Sequence, residues 1–381
     1  MEWRVPLADV KLGEEEEKAV LDVLRSGWLT MGQVTQSFEQ ELAAFTGARH
    51  AFALNNATAA LHLACLAIDL GPGDEVILPS LTFVATANAI RYTGATPVFA
   101  DIESEEWLCI CPHAIEEQIS ERTKAIMVMH YAGFPCDMPA IMRIAEDRGL
   151  VVIEDAAHAI GASLEGKALG TWGDVGCYSF FGNKNMTTAE GGMLVTNNDH
   201  LAEKVKILRS HGMTTLTWDR HQGHASTYDV VDLGYNYRID EIRSAIGREQ
   251  LKKLPAGNAR RALLVSRYRE RFGNCCPQLG LPFGDDRGGV SSQHIFPVLL
   301  PEDSDRAAFR DHMKEKGIQT SFHYPPIHQF NIYRDFVNNP AETLYMTELV
   351  ASRQVTLPLF PGMTETQQDL VVEAVTEALS A

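Results

Sequence analysis

One lysine in this chain sits where its charge would be hard to keep. Lys184 lies in Ser-Phe-Phe-Gly-Asn-Lys-Asn-Met-Thr-Thr-Ala-Glu-Gly-Gly-Met, the run from Ser179 to Met193. Strand-like stretches flank it at 175–181 and 192–196. Burial disfavours an ammonium group and lowers its pKa. A lysine free to shed its proton is a nucleophile, and its natural partner is a carbonyl. The competing role is a solvated loop lysine with glycines for turns, since most lysines are exposed.

Asp155 is the second candidate. It follows the short apolar run 151–153, in Glu154-Asp-Ala-Ala-His158. The carboxyl end of a buried strand is where open α/β sheets bind ligands; the alternative is a helix N-cap. His158, three positions on, would stand one helical turn above Asp155, or serve as a satisfied polar residue. Asn55-Asn-Ala-Thr-Ala-Ala60 joins a strand-like run to a helical one. Free N–H groups at a helix start and the Thr58 hydroxyl could hold a phosphate. Asn56 or Thr58 could instead simply cap the helix, and the glycine-rich dinucleotide fingerprint is absent. Finally, Ser321-Phe-His-Tyr-Pro-Pro-Ile-His328 reads as a stiff binding loop. His323 and His328 could equally be satisfied in a core.

Positioning such groups requires buried strands with crossover helices. Strands are expected at 51–54, 75–78, 96–100, 125–128 and 151–153, with helices over 61–70, 83–92 and 138–148. Short apolar runs of this kind suit parallel strands covered on both faces. Before them, 14–25 is amphipathic with an acidic first turn, as the helix dipole favours, and 36–45 is a second helix. Beyond them, 199–211 is helical and 212–229 is a polar loop holding Trp218, His221 and His224. Two histidines without a third ligand make a poor zinc site, so a lid or interface loop is expected. A helix over 240–254 should break at Pro255. The domain boundary is placed there: a large domain over 1–254 and a smaller α+β domain over 255–381.

Net charge is 33 − 50 = −17, which argues against nucleic acid or an anionic membrane as partner. No apolar run approaches the ~20 residues of a membrane span, and the first twelve residues lack a signal-peptide core. Seven scattered cysteines read as reduced thiols in a cytoplasmic protein, and no metal site is expected.

Taken in order, these motifs resemble the DegT/DnrJ/EryC1/StrS sugar-nucleotide aminotransferases, fold-type-I enzymes that use pyridoxal 5′-phosphate (PLP). The likeness runs from Gly27-Trp-Leu-Thr30 through 55–61, 154–158, 179–193 and 233–238 to 323–328 and 357–364, nearly the whole chain. It implies a large domain with a mostly parallel, seven-stranded type of sheet. It implies that Lys184 carries PLP as a Schiff base, Asp155 pairs with the pyridine nitrogen, Phe83 stacks on the ring and His158 lies near the ring hydroxyl. Ala57, Thr58 and Ser179 would bind the phosphate, joined by Asn236 from a neighbouring subunit, so that a homodimer shares its active sites. Tyr324, His323 and His328 would border the sugar-nucleotide pocket, with Arg238 a candidate for the diphosphate. The implied reaction is ping-pong transfer of an amino group, L-glutamate being the usual donor, to a nucleotide-linked keto-sugar. The Gly182-Asn-Lys184 surround is similar to members that aminate carbon 4 of 4-keto-6-deoxyhexoses. A cyclitol aminotransferase and a non-catalytic PLP-binding regulator are the alternatives. Two family glycines are replaced, by Ala57 and Ala189, which bears on local backbone dihedrals.

Overall fold

In a computed structural model, residues 3–215, 227–285, 287–337 and 343–380 are described; Trp218, His221 and His224 lie outside them. The acidic amphipathic segment forms α1 (Glu14–Ser26), with its glutamates at the positive end of the helix dipole. α2 (Gln33–Thr46) follows.

Strands and helices then alternate. They are β1 (His50–Leu54), α3 (Ala57–Ala67), β2 (Glu75–Pro79), α4 (Ala85–Tyr92), β3 (Thr96–Ala100), α5 (Pro112–Gln118) and β4 (Thr123–Met129). After them come α6 (Met138–Arg148), β5 (Val151–Asp155) and the short pair β6 (Ser163–Leu164) and β7 (Lys167–Ala168). β8 (Val175–Ser179), β9 (Gly192–Thr196) and α7 (Asp199–Leu208) complete the series.

Seven of these strands form one sheet in the order β1-β9-β8-β5-β4-β2-β3. β9 pairs antiparallel with both neighbours, and the other pairings are parallel. The sheet is buried on both faces, as a parallel sheet requires. Ile77, Ile126, Val128 and Val152 pack on one side, and Val76, Leu78, Ala125, Met127 and Ile153 on the other.

α8 (Glu241–Cys275) runs unbroken through Pro255, which corrects the expected break there. A proline removes one helical hydrogen bond and costs about 3 kcal/mol. Packing on either side outweighs that loss. Leu251 and Leu254 bury before the proline in the core beneath the sheet, and Leu264, Tyr268 and Phe272 after it in a separate cluster. Each buried large apolar side chain contributes roughly 1.5–3 kcal/mol.

β10 (Gly289–Val290), β11 (Phe296–Leu299), α9 (Arg306–Glu315), α10 (Tyr345–Arg353), β12 (Gln354–Leu357) and α11 (Glu365–Ser380) complete the chain. β11 and β12 pair antiparallel, and Phe296, Val298, Val355 and Leu357 join residues of α8, α9 and α11 in that separate cluster.

A second correction concerns His158. No helix follows β5; the chain turns, with the Ala157 N–H bound to Asp155 Oδ1 at 3.1 Å. The carboxylate closes that turn itself, as aspartates do. Among the described residues, no helix is long and apolar enough to cross a membrane.

Candidate active site

The strand ends meet at a cavity of about 890 Å³. β5 delivers Asp155 to it, β8 delivers Ser179, and the loop from β8 to β9 delivers Lys184. The turn between β1 and α3 presents Ala57 and Thr58, and the loop before α4 brings Phe83 to the mouth, where its side chain is 54% exposed. His158, His323 and Tyr324 complete the set of predicted residues that line it.

The anion-binding corner is built by α3. Asn56 caps the helix, its side chain accepting from the Ala59 N–H at 2.8 Å. That leaves the amides of Ala57 and Thr58, at the first two helical positions, without acceptors in the helix. Both residues line the cavity at the positive end of the helix dipole. Gly192, the first residue of β9, packs against this corner. A Cβ there would fall 2.6 Å from the Ala57 nitrogen, so only glycine lets the strand approach.

Asp155 is buried, and burial raises its carboxyl pKa. Thr86 Oγ1 donates to Oδ2 at 2.8 Å and the Ala157 N–H to Oδ1, both of which favour the charged form. Its neighbour Glu154 points to the other face of β5. There it accepts from the N–H groups of Gly170 (2.7 Å) and Gly173 (2.6 Å) and pairs with His130 at 2.8 Å. Glu154 therefore ties the strand to its surroundings, and Asp155 is the acid that faces the cavity.

Lys184 is half-buried, and burial lowers its amine to about 8, with the Asp155 charge opposing. The histidines around it are held neutral. Burial pulls His158 and His294 well below the ordinary imidazole value and His323 to about 4. His158 Nδ1 accepts from the Ala132 N–H at 3.3 Å, so its proton is on Nε2, which donates to the Tyr324 hydroxyl at 2.8 Å. Burial also pushes the Tyr324 phenol far up. Tyr324 is fixed in turn by its loop: the Tyr131 hydroxyl donates to the His323 carbonyl, and the His323 ring bonds to Thr356 on β12 at 2.8 Å.

Three predicted residues are not brought to this cavity. His328 is core-satisfied, bonded to Ser80 at 2.8 Å and Glu348 at 3.1 Å. Asn236 bridges to Ser210 through its backbone, and Arg238 stands beside His211 at 3.5 Å. Asp240 nearby is paired with Arg243.

Sequence reasoning missed Thr86, Arg243 and His294. Thr86 lies one turn beyond Phe83 and was within reach of spacing arguments. Arg243 lines the cavity from the first turn of α8. His294, 110 residues from Lys184 in sequence yet 3.5 Å from its Nζ, left no local signal. Among the described residues, no group of three or more His, Cys, Asp or Glu is placed to hold a metal ion.

Comparison with known proteins is consistent over the full length. The profile of the DegT/DnrJ/EryC1/StrS aminotransferase family matches residues 10–376. The spore coat polysaccharide biosynthesis protein SpsC of Bacillus subtilis is 40% identical over 370 residues, 96% of this chain and 94% of its own. Helicobacter pylori PseC, an aminotransferase involved in pseudoaminic acid biosynthesis, superposes with a TM-score of 0.91 at 31% identity, covering 100% of both chains. The putative sugar aminotransferase Spr1654 of Streptococcus pneumoniae, solved in its PLP form, does so at 0.91 and 27% identity, covering 100% of this chain and 99% of its own.

Proposed function

Since the chain belongs to the DegT/DnrJ/EryC1/StrS aminotransferase family and is thereby a sugar aminotransferase, we propose that it uses PLP to move an amino group from L-glutamate to carbon 4 of a nucleotide-linked 4-keto-6-deoxyhexose, in two half-reactions. The observation that carries the cofactor assignment is the donor set of one cavity: an amine lowered to about 8, a buried carboxylate and the start of a helix. An aldehyde, a pyridine nitrogen and a phosphate are the groups these three are suited to hold.

Lys184 would hold the aldehyde, Asp155 the ring nitrogen, and Ala57, Thr58 and Ser179 the phosphate, with Phe83 on the ring face and His158 near the ring hydroxyl. Bound there, PLP supplies an electron sink for chemistry at the carbon bearing nitrogen. The chain's own residues do the rest. Asp155, steadied by Thr86 and Ala157, keeps a proton on the ring nitrogen by favouring the cation. Lys184, as a free amine lowered to about 8, would take and return a proton. The α3 dipole opposes the phosphate charge. The His158–Tyr324 pair gives the cavity a neutral wall on which a sugar can lie.

The two-stage test follows the visible absorbance of the PLP-loaded protein. L-glutamate should abolish the cofactor band, and a nucleotide-linked 4-keto-6-deoxyhexose should restore it. Restoration by keto-cyclitols alone would overturn the acceptor assignment. A band unmoved by any amino acid would overturn the reaction.

A further inference from the structure

Next to Lys184 stands a histidine that the proposed chemistry leaves without a task. The His294 side chain is buried, and its Nε2 lies 3.5 Å from Lys184 Nζ. Its other nitrogen, Nδ1, lies 2.8 Å from Asn185 Oδ1. The orientation of Asn185 is fixed by its amide nitrogen, which donates to Asn258 Oδ1 at 2.8 Å and to the Ser292 carbonyl at 2.7 Å. Asn258 is held in turn by the Ile160 carbonyl at 3.0 Å. Only the oxygen of Asn185 is left for His294, so Nδ1 carries the hydrogen and donates. Nε2 then presents a lone pair, and the group facing it is the amine of Lys184. The histidine backbone is pinned as well, its N–H donating to Ala132 and its carbonyl accepting from Arg261.

We infer that His294 is a positioning residue for Lys184: through Nε2 it accepts a hydrogen bond from Nζ and so aims the amine, with Asn185 and Asn258 setting the tautomer that makes this possible. The inference rests on the reading of Lys184 as the reactive amine. A neutral acceptor at this place steadies the ammonium more than the amine, because a hydrogen bond to the charged form favours that form. It therefore partly offsets the lowering by burial.

The other ionisable groups near the pair are Asp155, His158, His323, Tyr324, Glu190 and Arg243 in the cavity lining, and Arg261, which donates to the His294 carbonyl. The imidazoles are held neutral, and the Tyr324 phenol is held protonated, by burial. That leaves Lys184 to titrate at about 8, lowered by burial with the Asp155 charge opposing.

The test is competitive acetylation of the full chain, freed of cofactor, with acetic anhydride across pH 6–11, Lys184 being quantified by peptide mass spectrometry. His294→Leu and His294→Phe are two apolar replacements of different shape. Each should move the half-titration of Lys184 down by about one pH unit. His294→Gln, which places an amide oxygen near the position of Nε2, should return it to within a few tenths of wild type. A histidine that only filled space would let water in when replaced, and Lys184 would then move up toward an ordinary lysine. An upward or absent shift in both apolar variants overturns the inference. Thermal melting identifies any variant that fails to fold, and the other apolar variant and the Gln rescue then decide the matter. Borohydride reduction of the PLP-loaded wild type tests the parent reading separately. No label on Lys184 would sink that reading, while the acetylation titration would still decide the role of His294.

Discussion

At the scale of single residues, the cavity brings together groups whose ordinary protonation has been altered. Lys184→Ala should reduce amino transfer by at least about a thousandfold, since both a covalent anchor and an acid–base group are lost. Wild-type turnover by that variant would remove Lys184 from the mechanism. The amine at about 8 also sets a pH dependence. The rate at which added PLP is captured by the cofactor-free protein should climb tenfold per pH unit below about 8, then level off. A rate flat between pH 6 and 9 would contradict the lowered value. For stability the sign runs the other way from a paired lysine. The folded value lies below the unfolded 10.5, so the charged lysine is a cost to folding below about 8, and that cost fades as pH rises to 10.5. Ala189 has φ +67°, a left-handed conformation that L side chains resist. Ala189→Gly should raise stability by about 0.5–1 kcal/mol in urea unfolding, the relief of strain exceeding the entropy of the added glycine. A loss of stability would show that the alanine is tolerated without strain. Of the site itself, Lys184, Asp155 and Thr58 were legible because each sits at a strand or helix end with a recognisable chemical type. His294 and Arg243 were not, because tertiary packing alone brings them there.

At the scale of elements, the alternation of short apolar runs with helical spacers was enough to predict the sheet, and β3, α6 and β9 fall on the residues expected of them. Proline misled the reading of α8, because a local breaker competes with burial on both sides and burial is larger. His328 misled it in the same way: two prolines announced a stiff loop, but not which of its histidines would turn inward to Ser80. α8 also carries a contact that no spacing rule reveals. Glu241 is buried and accepts from the backbone N–H groups of Gly32, Val34 and Thr35, each at 2.8 Å, and from the Thr35 hydroxyl at 2.7 Å. It caps α2 from another helix, beside the cavity wall that Arg243 provides. Glu241→Ala should cost about 3 kcal/mol by stranding several buried donors. A loss under about 1 kcal/mol on chemical denaturation would mean that water replaces the carboxylate.

At the scale of the molecule, Asn236 and Arg238 lie outside their own chain's cavity, which is the placement a shared site would need. We propose that a second copy of the chain receives them. A mixture of Lys184→Ala and Asn236→Ala subunits, each inactive alone, should then recover about a quarter of wild-type activity. Half of the dimers would be hybrids, and each hybrid would hold one intact site. No recovery after subunit exchange would place Asn236 in a purely local role. The Lys184 loop suggests how such an enzyme could diversify. β8 and β9 are antiparallel neighbours, with Ser179 opposite Gly192, and Phe180 and Gly191 bonded at 2.9 Å. Residues 180–191 therefore leave the sheet and come back to the point of departure. Such an excursion is a cassette: its contents can be exchanged between relatives while the strand register stays as it was. Its hydrogen-bonded addresses elsewhere among the described residues include Asn258, Ser292, His294, Gln250 and Arg243. A transplanted loop would have to travel with those positions to keep its lysine aimed.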